Sequence, residues 1–117
     1  MNPRDLVLAA LRGDDLTLRQ LVKDAAREGF SWTRAPPPEF RGCRSRAVYA
    51  SLVELLAIRA GQTPPDWTTN VAKAPAPLFL VRGAKKSKAL RRESLSGTPE
   101  SLRKRNVFAL PDYLDVL

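Results

Sequence analysis

Residues Arg44 to Gly61 read RSRAVYASLVELLAIRAG, and this stretch decides the fold. Its middle is apolar on nearly every side: Ala47, Val48, Tyr49, Ala50, Leu52, Val53, Leu55, Leu56, Ala57, Ile58 and Ala60, interrupted only by Ser51, Glu54 and Arg59. A half-buried strand would alternate apolar and polar residues, whereas this run does not alternate and holds no internal Gly or Pro. A helix that is apolar on most sides belongs in the middle of a core. Gly61 stands where a residue of positive φ closes a helix. The element is about 25 Å long, enough to cross a small domain.

The rest of the chain is read outward from it. Towards the N-terminus, Asn2 is placed to cap a helix with Pro3 in its first turn, and Gly13 ends it. Asp14 caps a second helix over residues 15–28, with Leu16, Leu18, Leu21, Val22, Ala25 and Ala26 as its apolar residues. The short connection makes the two an αα-hairpin or corner. Asp14 and Asp15 are a helix cap and a first-turn charge, not a carboxylate pair for acid–base work. Residues 30–43 form a proline-rich connector, in which Pro36-Pro37-Pro38 favours extended backbone. Trp32 and Phe40 flank the prolines and are expected to pin the connector to the core.

Beyond Gly61, Thr63-Pro64-Pro65-Asp66 predicts a capped short helix reaching Lys73. Leu78 to Val81 and Val107 to Leu110 are short apolar runs and make a minor extended pair. Helices are expected over Lys85 to Arg92 and again from Thr98-Pro99-Glu100, with Thr98 as cap. Pro111 and Asp112 start a terminal helical turn carrying Tyr113, Leu114 and Leu117. The expected fold is mainly α: a single compact domain of about five or six helices around the central buried helix, with minor short strands. Its parts are a helix pair at 1–29, the connector at 30–43 and a helical core at 44–117 with a basic C-terminal part.

At 117 residues the chain is long enough to bury one core. Cys43 is the sole cysteine, so no internal disulfide forms and a reducing compartment fits. Arginines at 41, 44 and 46 stand near it in the sequence, but a packed thiol is expected. No secretory signal is legible near the N-terminus, and no run approaches the roughly 20 apolar residues of a membrane span. The expected location is cytoplasmic.

Charge is confined. Residues 82–105 hold nine of the chain's 20 cations and two of its 12 anions, so this segment carries +7 of the net +8. The cations are Arg82, Lys85, Lys86, Lys88, Arg91, Arg92, Arg103, Lys104 and Arg105. Most charge runs are solvated surface; a confined one also suits an anionic partner, either an acidic protein face or nucleic acid phosphates.

Catalytic groupings are missing from the sequence. There is no histidine, which removes the commonest general base and metal ligand. One cysteine cannot build a zinc site, and neither GxxxxGK[ST] nor GxGxxG occurs. A non-enzyme without metal or cofactor is the expected class.

A resemblance adds to this reading. Arg59-Ala60-Gly61, Pro65-Asp66-Trp67 and Thr98 to Phe108 (TPESLRKRNVF) follow in order. Residues 44–117 thereby resemble a small helical domain of actinobacterial and related proteins, often placed C-terminal to a helix-turn-helix. That family shows a long apolar helix, RAG, P-x-W and S-P-x-x-[FL]-R-x-R-x-[IV]-F. The resemblance implies a regulator- or antitoxin-like protein, with a nucleotidyltransferase-like toxin as one acidic partner. The N-terminal pair departs from it. Its second helix balances Arg19, Lys23 and Arg27 with Asp15, Asp24 and Glu28, a poor face for phosphates. The expected function is therefore a protein-interaction module binding an acidic partner through the nine-cation surface. The alternative is a nucleic-acid-binding module using the same cations.

Overall fold

The computed structural model describes residues 1–81 and 87–114. Its elements run α1 (Pro3–Leu11), α2 (Asp15–Arg27), a 3₁₀ turn (Trp32–Arg34), α3 (Cys43–Arg59), a second 3₁₀ turn (Asp66–Asn70), β1 (Leu78–Phe79), α4 (Lys88–Gly97), α5 (Glu100–Arg103) and β2 (Val107–Phe108). The mainly α architecture around one central helix is the one read from the sequence.

α3 is that helix, and every residue from Ala47 to Ala57 is buried. Its first turn projects beyond the core, so Cys43, Arg44 and Arg46 face solvent. The expectation of a packed thiol fails for this reason: α3 enters the core only at Ala47, and Cys43 is exposed. Gly61 takes φ 71° just past the helix, a left-handed step that costs a glycine little.

α1 and α2 form the expected helix pair and pack on each other. The Asn2 side-chain oxygen accepts from the Arg4 and Asp5 amides (3.0 and 3.4 Å). The Asp14 carboxylate accepts from the amide and hydroxyl of Thr17 (3.2 and 2.7 Å). α2 buries Leu18, Val22 and Ala25, which recur at i, i+4 and i+7. Leu16 falls on the opposite side of the helix and is exposed, so it leaves the predicted stripe. α1 packs on both α2 and α3, and α2 leans on α1 rather than on α3.

The connector is held by aromatic residues. The Tyr49 hydroxyl donates to Pro36 O (2.8 Å), and Trp67 Nε1 donates to Ala35 O (2.9 Å). Trp67 stacks on Tyr49 (5.4 Å, 10°), while Phe40 meets Tyr49 edge-on (5.7 Å, 71°). Trp32 is buried at the start of the connector, as predicted.

Four local expectations are corrected. The segment after Pro65 makes a 3₁₀ turn, not a helix to Lys73. Thr63 does not cap it: the turn starts at Asp66, so the N-cap position falls on Pro65, and the chain turns extended at Val71. The Ala74 amide then bonds Arg105 O (2.8 Å), which draws the chain towards β1. α4 begins at Lys88, where the Ser87 hydroxyl accepts from the Leu90 amide, and it runs on to Gly97. Its expected start, at Lys85 and Lys86, lies outside the described residues. Thr98 does not cap α5 with its side chain. Its hydroxyl reaches Ser94 O and Ala109 O and accepts from the Ala109 amide (3.2 Å), tying the end of α4 to the chain after β2. Residues 111–114 form a turn, and Leu117 lies outside the described residues.

β1 and β2 pair in parallel, Leu78 with Val107 and Phe79 with Phe108. α4 and α5 lie in the crossover that a parallel pair needs. One close approach was not legible in the sequence. A Cβ on Gly97 would come within 2.3 Å of Pro111 Cγ. Gly97→Ala is therefore expected to destabilise by about 1–3 kcal/mol through overpacking. Helix propensity alone would favour alanine there by about 1 kcal/mol. The sign of the change in urea midpoint decides between the two.

Candidate functional site

The nine predicted cations separate into three groups. Arg82, Lys85 and Lys86 lie outside the described residues. Lys88, Arg91 and Arg92 lie on α4. Arg103, Lys104 and Arg105 lie at the end of α5, and there the structure corrects the expectation of a single exposed surface.

Arg105 is internal, only 3% exposed. Its guanidinium donates to Glu54 Oε2, Thr68 O and Ser101 O, each at 2.7 Å. Lys104 Nζ meets the other oxygen, Glu54 Oε1, at 2.5 Å, with its side chain 43% exposed. Arg103 is exposed, but it donates to Ser96 O and Thr98 O (both 3.2 Å) and so sits at the C-terminus of α4, where a cation complements the helix dipole. Arg103 ends α5 while Lys104 and Arg105 lie in the turn after it, and the three side chains diverge, so they do not all face one partner. The signal that would have located the buried one was Glu54. An acid inside an otherwise apolar helix requires a cation beside it.

Glu54 is 6% exposed. Burial pushes its carboxyl up, but the hydrogen bonds and charges of Arg105 and Lys104 outweigh this and hold it below its ordinary value of 4.5. A depressed carboxyl contributes stability above its unfolded value and loses it as pH falls through the folded one. Wild type is therefore expected to exceed Glu54→Gln in urea midpoint at neutral pH, with the gap shrinking as pH drops below the carboxylate range.

On α4, Lys88, Arg91, Arg92 and Leu95 recur at i, i+3, i+4 and i+7 and so form one stripe. Lys88 and Arg92 are exposed, Arg91 is half-buried and Leu95 is 50% exposed. Leu90, Ser94 and Gly97 form the opposite side, with Ser94 fully buried against the body. Glu93 lies off the stripe. The nearby aromatics, Phe79 and Phe108, stack on each other across the strand pair (5.5 Å, 29°).

Among the described residues no helix is long and apolar enough to cross a membrane, and no group of three or more His, Cys, Asp or Glu residues is placed to hold a metal ion. The stretches that carry the family resemblance are largely scaffold: Pro65 is buried, Trp67 stacks on Tyr49, Arg103 closes α4 and Arg105 neutralises Glu54. Comparison with protein-family models, with curated proteins and with solved structures finds no match for this chain.

Proposed function

We propose that this protein is a non-catalytic interaction module of the regulator or antitoxin kind, and that the α4 stripe docks on an acidic protein surface. The observation that carries the reading is Leu95, a half-exposed leucine in line with three cations on a helix face turned away from the body. A protein interface joins an apolar anchor to charged neighbours that set orientation and on-rate. Phosphates would call for cations without the leucine. Single-stranded bases would call for open aromatic faces, whereas Phe79 and Phe108 already cover each other. A nucleotidyltransferase-like toxin is one acidic partner that the sequence resemblance suggests. The exposed, unpaired Cys43 suits a reducing cytoplasm.

The test is a pull-down from host extract with wild type and with Lys88→Glu/Arg91→Glu/Arg92→Glu, read by mass spectrometry. An acidic protein held by wild type and lost by the variant is the expected result. Nucleic acid as the main catch of wild type would contradict it.

A further inference from the structure

Ala35, Pro36 and Pro37 each precede a proline, which drives their ψ into the extended range, and each proline ring holds φ at about −65°. Ala35 accordingly takes φ −57° and ψ 133°. The connector therefore runs as polyproline II, with about three residues per turn. Burial follows that period. Ala35 is buried and Pro38, three residues on, is half-buried, while Pro36, Pro37 and Glu39 are exposed. The inner side is fixed, because Tyr49 and Trp67 donate to the carbonyls of Pro36 and Ala35 (2.8 and 2.9 Å). The outer ridge is open. Among the described residues the Pro37 and Pro38 carbonyls accept no hydrogen bond, and the exposed side chains of Arg34 and Glu39 meet no charged partner.

We propose that this ridge docks in a groove on a partner protein lined by Trp and Tyr side chains, with an acid at the Arg34 end and a cation at the Glu39 end. Proline rings pack on aromatic faces, and the two open carbonyls accept from indole N–H or phenol O–H groups. Tyr49 and Trp67 already treat the inner side of the same segment in this way. Three prolines in a row offer no N–H, so the ridge does not add as a strand to a partner's sheet edge. Docking costs little ordering, since the segment is held in the bound form beforehand. The opposite charges at its ends fix the direction in which it lies. A flat acidic face offers the prolines no ring. The surface is separate from the α4 stripe and stands or falls independently of it.

The probes are a panel of purified SH3 and WW domains, whose aromatic grooves take polyproline II segments. Each is titrated with the whole protein. Saturable binding by at least one domain is expected, with half-saturation at about 100 μM or tighter, as for a small transient contact. Pro37 and Arg34 are exposed, so Pro37→Ala and Arg34→Glu are expected to fold normally. Each is expected to weaken binding about tenfold, the first by removing a ring from the groove and the second by reversing the orienting charge. Lys88→Glu/Arg91→Glu/Arg92→Glu is expected to leave it unchanged. Absence of saturable binding across the panel would overturn the proposal. So would an affinity indifferent to both Pro37→Ala and Arg34→Glu, or one abolished by the charge reversal on α4.

Discussion

Replacing Arg105 by alanine is expected to cost about 3–5 kcal/mol of stability, the usual penalty for stripping a buried ion pair of one partner. The change leaves the Glu54 carboxylate, 6% exposed, with only the half-exposed Lys104 beside it. It also removes the guanidinium that joins α3 to Ser101 of α5 and to Thr68 of the second 3₁₀ turn. Domains of this size are stable by about 5–15 kcal/mol, so the variant would be marginal. The double variant Glu54→Leu/Arg105→Met is expected to recover most of the loss, because an apolar pair of similar volume leaves no charge to compensate. Urea unfolding of the three proteins checks this. An Arg105→Ala cost below about 1 kcal/mol would mean that the pair behaves as an exposed one and does not lock α5 to α3.

Leu55→Asp is expected to leave the chain unfolded, at a cost of at least about 4 kcal/mol, because it puts an unpaired carboxylate into the core. Leu55 lies one turn after Ser51 on α3 and is buried. Ile58, three residues further on, is 54% exposed. Ile58→Asp is accordingly expected to stay within about 0.5 kcal/mol of wild type. Far-UV circular dichroism and thermal melts of the two variants test where the core boundary falls along α3. A folded Leu55→Asp protein would contradict the burial of α3 on all sides.

The fold was legible where local chemistry decides it. Asn2 and Asp14 announce their helices by capping, and an unbroken apolar run allows α3 only a central place. The paired short strands followed from two apolar runs bounded by turn residues. What was not legible depends on long-range contact. Thr98 has the look of an N-cap, yet its hydroxyl is taken up by Ser94 and Ala109. Gly97 is required by Pro111, which comes close only once the strand pair has formed. The basic surface was legible as composition but not as geometry. Nothing local distinguishes Arg91 from Arg105; the distinction lies at Glu54, 51 residues earlier in the chain. The leucine in the α4 stripe was equally hidden, because exposure of Leu95 follows from which side of α4 Ser94 turns to the body.

The measurement that bears most directly on the proposed function is a salt titration of two anionic probes by fluorescence anisotropy. One is a labelled amphipathic helical peptide with glutamates and leucines on one face; the other is an oligonucleotide, duplex or single-stranded. Each is titrated with wild type, Lys88→Glu/Arg91→Glu/Arg92→Glu and Leu95→Ser. Wild type is expected to bind the peptide and to keep much of that affinity at high salt, the charge reversal to abolish binding, and Leu95→Ser to weaken it. Oligonucleotide affinity, resting on counterion release, should fall steeply with salt and be negligible near physiological ionic strength. Submicromolar oligonucleotide affinity near physiological salt, abolished by the same charge reversal and indifferent to Leu95→Ser, would contradict the proposed function.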